Sequence, residues 1–388
     1  STPSKAETVP SGFVFSVTNP KSSKTPTADI SRPVSSKPSV WRPARSGSTS
    51  LAKKNGAANT TIPKAARLIV NLIYLSSDPI GLPCLEHLAK GAAEGIRLTG
   101  VVTGPDRKKG RGKKLQRNPV ATRAEELGVP VLQTERLQAP ELESFAAFDG
   151  ALVFAFGQIL SSEILKLRPG RFLNLHPSPL PRLRGPSPLE TALAEGWTST
   201  EICLMEVARR MDAGPVARRA PLEILPGDTG AGLRERASHK CIRLLDSLPA
   251  AIRGTVPREP QDEATATWSR IIHKKDGWVD FSLPAERIVS RSRAFEGWPG
   301  AIAQIGTEPV RLSGLIQRER QGRPGEILCA DDELVIAAGT GSVAVSALQR
   351  PTRQMIPWNE FRQSTSLRKG RMLSYPLSQP LVRNTRNR

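Results

Sequence analysis

The chain has 388 residues, enough for two ordinary domains with tails, and 38% of them are hydrophobic, so it can bury real cores. Lys and Arg number 56 against 36 Asp and Glu, a formal charge of +20, which favours a polyanionic partner: nucleic acid first, an anionic membrane surface second. No apolar run nears the ~20 residues a spanning helix needs. The four cysteines (Cys84, Cys203, Cys241, Cys329) show no Cys-x-x-Cys and the four histidines are scattered, so neither a disulfide framework nor a metal centre is expected.

Residues 1–66 are rich in Ser, Thr, Pro, Lys and Arg, with only Glu7 and Asp29 as acids. Such a segment cannot bury enough apolar surface to fold alone, so a disordered basic extension is expected. The same acid-poor composition suits an organelle transit peptide, which sets a mitochondrial or plastid matrix beside a bacterial cytoplasm as the location.

Order is expected from Arg67. The near-continuous apolar run over 68–75 reads as a parallel strand covered on both faces. Leu82, Leu85 and Leu88 have helical spacing over 80–90, and 98–103 is the next strand. A basic loop follows, Gly104-Pro-Asp-Arg-Lys-Lys-Gly-Arg-Gly-Lys-Lys114, with six Lys/Arg residues among glycines. It lacks the spacing of a P-loop and the third Gly of a dinucleotide fingerprint, so it reads as a mobile cationic arm or a solvated loop. A helix over 120–126 and strands over 131–133 and 151–154 complete an alternation that argues for a doubly wound parallel sheet.

The most informative stretch is Phe172-Leu-Asn-Leu-His-Pro-Ser-Pro-Leu-Pro-Arg-Leu-Arg-Gly-Pro-Ser-Pro188, a short apolar strand broken by five prolines and a glycine. Residues two apart in a strand share a face, so Asn174 and His176 project together, opposite Leu173 and Leu175. Both lie at the carboxyl end of the strand, where open α/β sheets bind ligands. Ser187 as N-cap, Pro188 and Glu190 predict a capping box and a helix ending near Gly196. Another strand, 202–207, leads to Asp212 in a Gly/Pro turn. That carboxylate is expected to hold the His176 imidazole, which moves a proton, while the Asn174 amide donates to a developing oxyanion. The three suit transfer of an acyl carbon to an amine. Ser178 lacks a nucleophile elbow, which argues against a serine hydrolase.

A helix over 229–245 is expected with Asp228 as N-cap and Leu233, Ala237, Cys241 and Leu244 on its inner face. Periodicity is lost over 255–267, the expected linker. Short strands over 277–281, 301–305, 310–315, 325–329, 333–337 and 343–348, with one helix over 285–295, suggest a small barrel.

Asn174-Leu-His176-Pro-Ser-Pro-Leu-Pro-Arg-Leu-Arg-Gly185 and Met211-Asp212-Ala-Gly214 resemble the folate-dependent formyltransferases. With the basic loop, the resemblance is to the branch that acts on methionyl-tRNA, and it runs from about Leu68 to Met372. The chain departs from the family with Gly185-Pro-Ser-Pro188 in place of Gly-Ala-Ala-Pro, and with Tyr74-Leu-Ser-Ser-Asp-Pro79 in place of a Gly-Thr-Pro turn. The resemblance implies a Rossmann-like catalytic domain over 67–254, the linker over 255–267, an OB-like barrel over 268–372 and a basic tail over 373–388. It implies 10-formyltetrahydrofolate as formyl donor and initiator methionyl-tRNA as acceptor, with no metal. The catalytic residues would be Asn174, His176 and Asp212. The folate would be bound by Phe156, Gly157, Ser178, Pro179, Leu180, Pro181 and Met205, and the tRNA by Arg107, Lys108, Lys109, Arg111, Lys113 and Lys114. A monomer is expected. Three alternatives stay open: an acceptor that is an amino sugar nucleotide, one that is glycinamide ribonucleotide, or a non-catalytic RNA-binding relative.

Overall fold

The computed structural model describes residues 69–109, 114–145 and 147–384; the extension expected over 1–66 lies outside them. The first domain runs β1 (Val70–Leu75), α1 (Leu82–Ala89), β2 (Ile96–Thr103), β3 (Arg107–Lys109), β4 (Lys114–Gln116), α2 (Pro119–Glu126), β5 (Val131–Gln133), α3 (Ala139–Glu143), β6 (Gly150–Val153), α4 (Ser162–Leu167), β7 (Phe172–His176), α5 (Pro188–Ala194), β8 (Ser199–Glu206), β9 (Val216–Glu223), α6 (Gly230–Leu245) and α7 (Leu248–Ile252). Its seven-stranded sheet has the order β5-β2-β1-β6-β7-β8-β9. The first five are parallel, and β8 and β9 are antiparallel additions.

Helices cover both faces, which is why β1 and β6 are almost wholly apolar. Leu173 and Leu175 of β7 join one core with α1, α2, α5 and α6, whereas Phe172 joins the opposite core with α3 and α4. Chain order reverses between β1 and β6, so the ligand-binding crevice of such a sheet falls at their carboxyl ends. The unusual Ser-Ser-Asp turn after β1 ties these ends together. Ser77 N donates to Ala155 O at 3.2 Å, and Ser77 Oγ accepts from Gly104 N at 2.9 Å.

Two helix starts differ from expectation. Thr229, not Asp228, caps α6, accepting from Gly232 N at 3.2 Å. Asp228 instead accepts from Leu225 N and pairs with Arg236. Ser187 does stand at the N-cap of α5 but makes no side-chain cap bond. The capping box is absent because Glu190 pairs with Arg234 at 3.0 Å, and Arg234 also holds Asp78 at 2.7 Å.

The C-terminal part contains β10 (Trp268–Ser269), α8 (Ala285–Ala294), β11 (Ala301–Ile305), β12 (Glu308–Arg318), β13 (Ile327–Ala330), β14 (Leu334–Ala337), β15 (Ser342–Gln349), β16 (Ile356–Pro357), α9 (Trp358–Phe361) and β17 (Val382–Arg383). It is an antiparallel sheet of order β11-β12-β15-β14-β13, with β16 beside β15, around Phe281, Leu334, Ile336 and Val343. The strand expected over 277–281 reduces to a single bridge between Trp278 and Ile302.

Residues 373–384 of the expected basic tail pack closely. Tyr375 meets Phe281 edge-on at 5.6 Å, Leu381 is fully buried in the core of the first domain, and β17 pairs with β10. A buried bidentate ion pair, Arg270–Asp276, sits under this return, and Arg270 Nε donates to Pro380 O at 2.9 Å.

Candidate active site

β7 delivers Asn174 and His176 to the carboxyl end of the sheet, and Pro177 ends the strand there. His176 is buried; Asn174 is half-buried, and its carboxamide makes no hydrogen bond to another described residue. The His176 ring is fixed from both sides. Nε2 lies 3.0 Å from Leu183 O, and Nδ1 lies 3.8 Å from Asp212 Oδ1. A carbonyl only accepts, so Nε2 is the donor to Leu183 O, and Nδ1 is the nitrogen on the Asp212 side. A carboxylate at this distance would stabilise an imidazolium.

Asp212 occupies a left-handed conformation at φ 52, which Asp tolerates better than most residues. Its Oδ2 accepts from Gly185 N at 2.8 Å. Two glycines make this approach possible. A Cβ on Gly214 would lie 2.0 Å from Glu206 O, and one on Gly185, which has φ 101, would lie 2.6 Å from Ser269 O.

The proline-rich loop is held by partly buried polar contacts. Ser178 Oγ donates to Arg182 O at 2.8 Å, Arg219 donates to Leu180 O at 2.8 Å, and Leu183 N donates to Thr267 Oγ1 at 2.9 Å. Arg184 is fully buried, and its guanidinium donates to Gln261 and Glu263. Its hydrogen bonds to Arg184, aided by a further ion pair with Arg210, bring the Glu263 carboxyl down to about 2 against an opposing desolvation. The stretch expected as a linker therefore forms the outer wall of the site; nothing in its polar, aperiodic sequence signals this.

Opposite Asn174 and His176 on β8 stand Met205 and Cys203. With Leu180 and Val216 they form a small closed apolar cluster. Burial pushes the Cys203 thiol up to about 11, so it is packing and not a nucleophile. Of the expected folate contacts, Phe156, Ser178, Leu180 and Met205 are buried, while Gly157 is exposed and Pro179 and Pro181 are half-exposed. Gly157 has φ 78 with open space where a Cβ would stand, and Ile159 beside it is 79% exposed.

Among relatives, a methionyl-tRNA formyltransferase from Roseiflexus castenholzii is 33% identical over 313 residues, 78% of this chain and 99% of the relative. The chain belongs to the methionyl-tRNA formyltransferase family. A second member, from Deinococcus radiodurans, is 35% identical over 307 residues, 76% of this chain and 93% of the relative. The family models for formyl transferase and for the formyl transferase C-terminal domain match residues 73–247 and 271–366. Among solved structures, an N-formyltransferase from Helicobacter canadensis, complexed with folinic acid and dTDP-3-aminofucose, shares the fold with a TM-score of 0.55. It is 14% identical, covering 73% of this chain and 100% of that one.

The basic arm of this formyltransferase is a hairpin, not the structureless loop expected from sequence. β3 and β4 pair antiparallel with Arg107 opposite Gln116 and Lys108 opposite Leu115. Arg111 and Lys113 lie outside the described residues. At the base, Asp106 accepts from Gln133 and from Asn118 N, bonds that hold its carboxyl below the usual range. Arg107, Lys108 and Lys114 are exposed, and Leu115 is 67% exposed, so the hairpin projects with no core of its own. No group of three or more His, Cys, Asp or Glu suited to a metal occurs among the described residues, and no helix among them is long and apolar enough to cross a membrane.

Proposed function

We propose that Asn174, His176 and Asp212 direct transfer of the formyl group of 10-formyltetrahydrofolate to the α-amino group of methionyl-tRNA, giving formylmethionyl-tRNA for translation initiation. The observation that carries this reading is the placement of the Asn174 amide and the His176 imidazole together at the end of β7, with Nδ1 of the ring 3.8 Å from the Asp212 carboxylate. The donor supplies an activated formyl carbon. Gly157, Pro179 and Pro181, the accessible members of the expected set, are the proposed contacts to it. Phe156, Ser178, Leu180 and Met205 form the layer beneath.

The acceptor amine must be neutral to attack, and free α-amino groups titrate near ~7.7–8, so a modest assist suffices. His176 Nδ1 takes the proton released as the new C–N bond forms and returns it to the departing donor nitrogen as the old C–N bond breaks. The Asn174 carboxamide donates to the oxyanion at the tetrahedral stage. Asp212 holds the ring and balances its charge while it carries the proton.

A macromolecular acceptor is favoured by the basic hairpin: Arg107, Lys108, Lys109 and Lys114 on its strands, and Arg111 and Lys113 between them in sequence, suit the phosphates of the tRNA acceptor end. A bacterial cytoplasm is the first reading of the chain's location, and the acid-poor composition of residues 1–66 keeps a mitochondrial or plastid matrix as the alternative. The test is formyl transfer from 10-formyltetrahydrofolate to three acceptors in parallel: methionyl-tRNA, a dTDP-amino sugar and glycinamide ribonucleotide. Product on methionyl-tRNA alone supports the reading, and product on either small acceptor alone overturns it.

A further inference from the structure

We propose that Gln261 is a positioning residue for catalysis, setting the place of Asp212 and through it of His176. The inference rests on the assignment of Asn174, His176 and Asp212 as the reacting site. Gln261 lies between the two stretches matched by the family models, in the segment whose sequence reads only as a linker.

Its carboxamide is fully used. Nε2 donates to Asp212 O at 2.8 Å and to Gly214 O at 2.7 Å, and Oε1 accepts from Arg184 Nε at 3.0 Å and Arg184 Nη2 at 2.8 Å. A primary amide has two N–H donors and two lone pairs, so all four are satisfied here. Carbonyls only accept and a guanidinium only donates, which fixes the orientation; the flipped amide would oppose every partner. No other side chain of this length supplies both functions. Glu cannot donate to the two carbonyls, and Met can do neither.

The bonds close a ring. The Arg184 side chain holds Gln261, and Gln261 holds the Asp212 backbone. The Asp212 carboxylate is held by Gly185 N, the peptide next to Arg184. Both ends of Asp212 therefore hang on one loop position. The restraint matters because φ 52 lies in the left-handed region, where a residue with a side chain is strained, and a free turn would relax it. Relaxation would turn the carboxylate away from Nδ1, now 3.8 Å from it. Gln261 makes no hydrogen bond to Asn174 or His176, so its effect passes through its partners, and of these Asp212 is the one whose side chain faces His176.

The experiment is single-turnover formylation of methionyl-tRNA by the full chain and by Gln261→Met, Gln261→Glu, Asp212→Asn and the double variant Gln261→Met/Asp212→Asn. Thermal unfolding of each confirms a folded state. A misplacement near 1 Å costs on the order of 10²-fold in rate, and that is the loss expected for both Gln261 variants, with KM for methionyl-tRNA little changed. Gln261→Glu keeps its acceptor toward Arg184, so an equal loss there assigns the effect to the Asp212 side of the ring. In the Asp212→Asn background the Gln261→Met change should cost little more, because coupled residues do not add. A folded Gln261→Glu at full rate overturns the proposal, as does full additivity in the double variant. An active Asp212→Asn instead overturns the site assignment itself, independently of any result at Gln261.

Discussion

Replacing Gly185 by Ala isolates the close approach on which the site depends. The new Cβ would lie 2.6 Å from Ser269 O and 3.3 Å from Ser269 Oγ, whereas ordinary van der Waals separation begins near 3.4 Å. The loop must retreat from β10 by about 0.8 Å, the difference between 3.4 and 2.6 Å. That gap is otherwise closed by Ser269 N donating to Arg184 O at 2.7 Å and Ser187 N donating to Ser269 Oγ at 3.1 Å. Forcing atoms into a packed site costs about 1–3 kcal/mol. Holding a side chain at φ 101 adds about 1–3 kcal/mol. The sum, roughly 2–6 kcal/mol, is a large share of the ~5–15 kcal/mol that keeps a protein folded. Gly128→Ala is the internal control: φ is 70 there, and nothing lies within 4 Å of its Cβ. Urea unfolding followed by tryptophan fluorescence should show Gly185→Ala weaker than Gly128→Ala by the steric part alone, about 1–3 kcal/mol. Formyl transfer should fall on the order of 10²-fold, since Gly185 N also holds Asp212. Equal stability of the two variants with transfer intact would refute the reasoning.

The Glu263 carboxyl, brought from 4.5 to about 2, contributes stability that is full above pH 4.5 and is lost as pH falls towards 2. Its side chain is 47% exposed, so screening limits the effect to about 1 kcal/mol; the urea midpoints of wild type and Glu263→Gln should differ at pH 6 and converge as pH falls through that window. Ending the chain at Ser374 removes β17 and the fully buried Leu381, and should lower unfolding stability by at least the ~1.5–3 kcal/mol of one leucine side chain; an unchanged unfolding midpoint would show that the return segment is dispensable. Neutralising Arg107, Lys108 and Lys114 together should weaken methionyl-tRNA binding, flatten its dependence on log salt by about 0.7–0.9 for each phosphate no longer neutralised, and leave folate binding unchanged; an unchanged slope would return the hairpin to a solvated surface.

Local chemistry made much of this architecture readable in advance. β7 is a short apolar run stopped by proline, and period-two alternation places Asn174 with His176 without further information. β5 and β11 match their expected spans because hydrophobic runs end at clear turns. β9 was hidden. Its Arg218, Arg219 and Pro221 spoil the alternation, and its register against β8 shifts between Leu204 and Met205. The β3–β4 hairpin buries none of its described side chains to mark a period, and β10 and β17 are only two residues each, held by long-range pairing. Competition for partners decided the helix caps: Glu190 has Arg234 in reach, and only the fold brings that residue near. Gln261 has no local signal, because its role exists only once Arg184 and Asp212, 77 and 49 residues away, meet it.

The central claim is that the strand-end amide, imidazole and carboxylate carry the transfer. Its most direct test is the single-turnover rate of formylmethionyl-tRNA formation with saturating 10-formyltetrahydrofolate in wild type, Asn174→Ala, His176→Ala and Asp212→Asn. The account predicts product with the wild type and slowing of about 10²–10³-fold for the lost oxyanion donor. For the lost proton carrier it predicts about 10²–10⁴-fold, with a comparable defect in Asp212→Asn and with methionyl-tRNA binding retained throughout. Folded variants that form formylmethionyl-tRNA at the wild-type rate would contradict it.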